Sequence, residues 1–208
     1  TDQDANASVV NRTFNVAGGQ RLGEKFDPHK TQALVAFSGK GECVELTSRI
    51  AVDGSVDWVA PAGDWRVYSI SQKPSGQKVK RPSPGGEGSM LNLIYPPAVE
   101  HFVDWVDAAF ASHRGAKPRA QYHDWYEYKS EWAPDFFDQF QKRRGYRLQT
   151  ELPALFGNAT NDHAARVLSD YRETVSDVML EDALPIWVNW AHKRGFLTRN
   201  EAHGSPGN

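Results

Sequence analysis

Three short runs in this 208-residue chain set carboxylates among side chains suited to acid–base chemistry. The first is Lys80-Arg81-Pro82-Ser83-Pro84-Gly85-Gly86-Glu87-Gly88, where glycines on both sides of Glu87 let the backbone approach a ligand closely. Arg81 can hold Glu87 ionised or contact a substrate hydroxyl. The run lacks the Gly-Lys-Ser/Thr end of a phosphate loop. A flexible loop with a solvated glutamate explains it equally well. The second is Tyr122-His123-Asp124-Trp125-Tyr126-Glu127-Tyr128, with Asp124 and Glu127 three residues apart among four aromatic rings and His123. An apolar wall raises a carboxyl pKa by desolvation, which a general acid at neutral pH requires. The bland reading is an aromatic loop with surface acids. The third is Arg199-Asn200-Glu201-Ala202-His203, an acid just past a predicted strand. It suits proton transfer or metal ligation, although His203 alone is more often a structural hydrogen-bonder.

Glycoside hydrolysis commonly uses two carboxyl groups across the scissile bond, one to protonate the leaving oxygen and one to activate water or attack. A separation of about 5–5.5 Å gives retention and about 6.5–9.5 Å gives inversion. Two acids at different strand ends of one parallel fold supply such a pair, because these folds react at the C-terminal ends of their strands. The remaining acids read as structural. Asp135 and Asp138 favour a helix dipole in its first turn. Glu173, Asp177 and Glu181 are spaced for one solvated helix face.

Two differently patterned regions must position these runs. Residues 1–30 are polar and aperiodic, and predict a loop. Over 31–72 short apolar runs alternate with turn chemistry such as Pro61-Ala62-Gly63-Asp64, predicting a small antiparallel β-unit with Trp58 and Trp65 near its hairpin. Beyond that, apolar spacing predicts a helix over about 97–113, with Val99, Phe102, Val103, Val106 and Phe110 on one face. A strand follows over 118–126, then a helix opened by Pro134 and capped by Gly145 after Lys142-Arg143-Arg144. A long helical stretch over 162–194 must kink or restart at Pro185. It ends at Gly195 before a buried strand at Phe196-Leu197-Thr198-Arg199. Strand, helix, strand, helix, strand implies right-handed crossovers and a parallel sheet. The expected fold is α/β: a β-rich segment (1–72) followed by a partial (β/α)8 barrel (73–208). A piece of a barrel exposes strand edges, so it is expected to be inactive and poorly soluble without its remaining strands.

Composition excludes several functions. A net charge of −2 argues against a nucleic-acid surface, and no apolar run approaches the roughly 18 residues of a membrane span. The N-terminus has no signal-peptide pattern. Cys43, the single cysteine, rules out an internal disulfide and reads as a small buried or half-buried side chain. No motif for an organic cofactor is present. Aromatic content of 12%, including seven tryptophans, fits core packing or stacking against sugar faces.

The runs that carry the chemistry resemble glycoside hydrolase family 106, the α-L-rhamnosidases. The resemblance rests on Pro61-Ala62-Gly63-Asp64-Trp65, on Val79 through Gly88, and on Asp124-Trp125-Tyr126-Glu127. It continues through Trp132-Ala133-Pro134-Asp135-Phe136, the Lys142-Arg143-Arg144-Gly145-Tyr146 helix end, and Glu201-Ala202-His203-Gly204-Ser205-Pro206. It covers about 58–208, and the Lys-Arg-Pro…Gly-Gly-Glu-Gly run and the final run are its most specific parts. The resemblance implies a (β/α)8 catalytic domain in a larger periplasmic or extracellular enzyme, inverting hydrolysis of rhamnosides in an oligo- or polysaccharide, and a calcium ion at the sugar. It makes Glu127 and Glu201 the leading catalytic candidates, with Glu87 next. On this reading Glu127 protonates the leaving oxygen and a second carboxylate activates water. Trp125, Tyr126 and Trp132 shape the sugar subsite, Arg81 contacts substrate, and His123, Asp124 and His203 bind hydroxyls or support the ion. No metal ligand set follows from the sequence. The alternatives are a carbohydrate-binding module, which would need a β-sandwich and sits badly with the long helices, and another barrel hydrolase or an inactive relative.

Overall fold

Strand structure begins earlier than the sequence predicts. In the computed structural model, which describes residues 3–123 and 129–201, Ala7–Ala17 forms a strand, β1, within the predicted loop. It lies at one edge of a four-stranded sheet ordered β1-β4-β2-β3, with β2 at Thr31–Ser38, β3 at Cys43–Glu45 and β4 at Asp64–Pro74. An edge strand that buries few side chains has no strong period-2 pattern, so β1 is held by backbone pairing that hydropathy does not register. β2 is its opposite. It pairs antiparallel with both β3 and β4, setting Ala36 against Val44 and Val67. Ala33 through Ala36 are fully buried, and so read as a continuous apolar run.

The core beneath this sheet joins Leu22, Phe26, Leu34, Leu46, Trp58 and Trp65. Trp58 and Trp65 meet edge to face, their centroids 5.7 Å apart, and Trp65 Nε1 donates to the Pro61 carbonyl at 3.0 Å. Gly54 is needed there: its φ is +84°, and a Cβ would stand 2.6 Å from the Phe26 carbonyl oxygen. Cys43 departs from expectation. It is exposed on β3, a short strand bordered by Gly41 and solvent.

The chain divides into two compact units, one of Val9–Lys73 with Phe140–Leu168, the other of Thr1–Ser8, Pro74–Gln139 and Ser169–Asn208. Phe140–Leu168 groups with the sheet and Thr1–Ser8 does not. Within the sheet unit Arg147 pairs with Glu45 at 3.1 Å, and Leu148 and Leu152 are fully buried. Those contacts join residues about a hundred positions apart, beyond the reach of local periodicity.

In the second unit helix α1, Pro96–Ala111, starts on two prolines, whose fixed φ and missing N–H suit a first turn. It buries Val99 and Val103 beside Ala183, with Leu91, Ile186, Trp187 and Trp190 packed around them. Phe102, predicted inward, is half exposed and lies beside Trp105, its ring centroid 6.2 Å away. Strands β5, Ala120–His123, and β6, Leu197–Asn200, pair in parallel, with Tyr122 opposite Arg199 and His123 opposite Asn200. Among the described residues between them lie the helices α2 at Phe136–Arg144, α3 at Leu152–Phe156, α4 at Asp162–Asp177 and α5 at Leu184–Lys193. A π-helical turn over Val178–Ala183 joins α4 to α5. Pro185 cannot donate a helical hydrogen bond and crowds the carbonyl four residues earlier. The wider turn just before it absorbs that crowding without ending the helix. Glycines in the left-handed region close α2 and α5: Gly145 at φ +80° and Gly195 at φ +78°. β6 is not the buried strand predicted, since Leu197 is 55% exposed.

Trp132 also changes role. Its side chain is fully buried, packed against Phe136 at 4.6 Å, Phe137 at 5.2 Å and Tyr171 at 6.3 Å between centroids. A ring enclosed on this scale has no face to offer a sugar, so Trp132 is a core residue. Among the described residues no helix is long and apolar enough to cross a membrane.

Candidate active site at the β5–β6 strand end

Successive side chains of a strand point to opposite faces, which sorts the polar residues of β5 and β6 into two sets. Gln121, His123, Thr198 and Asn200 take one face, and Tyr122, Leu197 and Arg199 the other. On the first face the His123 ring lies 5.8 Å from that of Trp187, and its Nδ1 is 2.7 Å from Asn200 Oδ1. An amide oxygen only accepts, so Nδ1 carries the proton, and in the neutral ring the lone pair is on Nε2.

The second face carries the carboxylate. The Glu201 N–H donates to the His123 carbonyl at 3.1 Å, extending the ladder one residue past β6. Glu201 is thereby fixed at the C-terminal end of the parallel pair. The Tyr122 phenol, 51% exposed, donates to Glu201 Oε2. The Arg199 guanidinium lies 5.5 Å from the centre of the Tyr122 ring. Carboxylate, phenol and guanidinium thus share one open strand face.

A cavity of about 440 Å³ opens at the same strand end, lined by Gln121, Tyr122, His123, Trp187, Val79 and Ser89 among others. Val79 and Ser89 belong to the neck of the Glu87 loop: Lys78 bridges to Ser89, and the Val79 N–H donates to Gly88 at 3.0 Å. The structure therefore brings the base of this loop to the β5 end. Glu87 and Arg81 are both exposed on the loop. Arg81 has a φ of +47° directly before Pro82, a costly conformation for a side chain with a Cβ. A larger cavity of about 870 Å³ lies in the sheet unit, lined by Trp65, Tyr68, Asp64 and Arg66. Its Trp65 and Tyr68 rings are buried and its lining has one carboxylate and no imidazole, so its size is not matched by chemistry.

Of the residues singled out in the sequence, His123 and Glu201 meet only through the backbone, the Glu201 N–H bonding the His123 carbonyl while their side chains take opposite faces. Asp124, Trp125, Tyr126, Glu127 and His203 lie outside the described residues. The sequence reading passed over Tyr122 and Arg199 as site residues. Period-2 spacing could have found them, since Arg199 and Glu201 are two apart and so share a face. Among the described residues no three His, Cys, Asp or Glu side chains gather as a metal site. Calcium takes six to eight oxygens. Of the residues expected to support it, Asp124 and His203 lie outside the described residues.

A family model described as glycoside hydrolase family 106, α-L-rhamnosidase, matches residues 7–207. The chain is 26% identical over 175 residues to a protein of Formosa agariphila named a beta-glucuronidase, a match over 80% of this chain and 15% of that protein. Among solved structures it resembles a rhamnosidase from Novosphingobium sp. PP1Y, with 29% identity and a TM-score of 0.67, over 77% of this chain and 16% of that one. The chain thus spans about a sixth of the length of these relatives.

Proposed function

We propose, from the premise that the chain belongs to the glycoside hydrolase family 106 α-L-rhamnosidases, that the β5–β6 strand end is part of a site hydrolysing terminal rhamnosides of an oligo- or polysaccharide. The observation that carries this reading is Glu201, fixed at a parallel strand end with its Oε2 accepting from Tyr122. With Oε2 engaged, Oε1 is the oxygen available to take a proton from water. Glu127 is the partner that protonates the leaving oxygen, and Trp125 and Tyr126 shape the subsite with Asp124 and His203 at the sugar hydroxyls. Across an inverting pair the two carboxyl groups stand about 6.5–9.5 Å apart, leaving room for the water.

On this reading β5 and β6 are neighbouring strands of a (β/α)8 barrel whose helices lie outside them. The parallel pairing, the helical crossover and the carboxylate at the C-terminal end support it. The family supports a periplasmic or extracellular setting, where polymeric glycans are met.

The test is hydrolysis of an aryl α-L-rhamnoside by the active protein, with the product anomer followed by NMR. Glu201→Gln and Glu127→Gln should each lower kcat by about 10²-fold or more, within the range of general acid–base catalysis. Tyr122→Phe should lower kcat with little change in KM. Turnover that survives Glu201→Gln would remove this carboxylate from the mechanism.

A further inference from the structure

Arg199 is a cation that the fold positions over an aromatic ring and that has no counter-charge among the described residues. Arg147 pairs with Glu45 and Arg194 with Asp107, but among the described residues no carboxylate lies within 4.0 Å of Arg199. A partner is within reach in principle. Glu201 is two residues on and shares its face, roughly 6.6 Å further along an extended chain. The Glu201 carboxylate instead accepts from the Tyr122 phenol, and the guanidinium rests over that same ring. An arginine held against an aromatic ring keeps its forked donors and loses less freedom when an anion arrives. The bland reading is a solvated strand arginine. Against it stands the sharing of one ring by the guanidinium and by the hydroxyl that binds Glu201.

We infer that Arg199 is a specificity residue for acidic saccharides, and that the substrate carries a carboxylate next to the scissile rhamnose, as a rhamnosyl-uronate does. The inference rests on the reading of the β5–β6 end as a sugar site and goes beyond it, since rhamnose itself is uncharged. A bidentate guanidinium–carboxylate contact supplies both affinity and orientation. The name carried by the Formosa agariphila relative, a beta-glucuronidase, points to uronide chemistry in that protein.

The experiment is calorimetric titration of the protein with rhamnosyl-glucuronic acid and with its carboxyl-reduced counterpart, rhamnosyl-glucose. The acidic disaccharide should bind about 10-fold more tightly at low salt, the advantage shrinking as ionic strength rises, since salt screens charge. Arg199→Gln should bring the two affinities together, and Arg199→Lys should restore part of the difference. Equal affinities in the unmodified protein would overturn the assignment while leaving the sugar site standing. An advantage that persists in Arg199→Gln would also overturn it, assigning the anion to another cation such as Arg81. Failure of both disaccharides to bind a folded protein would remove the sugar-site reading and this inference with it.

Discussion

At the scale of single residues, burial separates tryptophans that composition treats alike. Trp132 combines three ring contacts with an Asn92 side-chain hydrogen bond to its carbonyl at 2.9 Å. Trp132→Ala should cost about 3–5 kcal/mol of stability, read as a lower urea midpoint. A sugar platform would behave in the opposite way, losing binding and keeping stability. Nearby, the Tyr171 hydroxyl donates to the Glu131 carbonyl at 2.6 Å, and burial pushes its phenol above the usual range. The Asp107 carboxylate accepts from Arg194 Nε at 2.5 Å and from Trp190 Nε1 at 2.9 Å. The Arg194 bond foremost, then that of Trp190, holds Asp107 below the ordinary carboxylate range. A carboxyl lowered by folding contributes stability above its unfolded pKa, about 3.9, and that contribution is lost as pH falls through the folded value. Asp107→Asn should therefore melt below the unmodified protein at pH 7, and the gap should close below about pH 4. A gap independent of pH would mean that this ion pair does not carry the linkage. None of these partnerships was legible in the sequence, because Trp and Asp serve core, surface and site alike. What was legible was the coincidence of acids with aromatic rings near predicted strand ends, because those residue types are costly together unless something is made of them.

Among elements, helices were read best where punctuation and periodicity agree. Cations followed by glycine located the ends of α2 and α5, and both glycines have positive φ. Neither has a neighbour within 4 Å of where a Cβ would stand, so conformation alone requires glycine there. Gly145→Ala and Gly195→Ala should each cost about 1–2 kcal/mol, the left-handed penalty for an L-residue, without enlarging the cavity at β5. Thermal melts of the two variants would check this, and an unchanged midpoint would show that the helix ends shift at no cost. Pro185 was read as a kink or a restart because a sequence shows the lost hydrogen bond but not the wider turn before it. β1 was missed for a related reason: its backbone partners lie on β4, and its few buried side chains leave no period to detect. The exposure of Leu197 was also invisible, since an apolar residue in a short strand reads as buried whichever face is covered.

For the molecule as a whole, the two units present very different sheets. β2 is paired on both edges, and its centre is inaccessible from Ala33 to Ala36. Among the described residues β5 and β6 pair only with each other, and Tyr122 and Leu197 stand open on one face. Two strands without a third, or a full covering layer, are marginal in water, and parallel pairing is slightly weaker per residue. Local opening free energies should therefore diverge, and hydrogen exchange reads them site by site. Amides of Leu34, Val35 and Ala36 should be the slowest of the chain. Those of Gln121, Tyr122, Thr198 and Arg199 should exchange about 100-fold faster or more, a difference of about 2.7 kcal/mol in opening. Equal protection in the two sheets, in a monodisperse protein, would mean that the β5–β6 pair is self-sufficient. The barrel reading would then lose its physical motive, since a pair that is stable alone has no need of further strands to hold Glu201 in place.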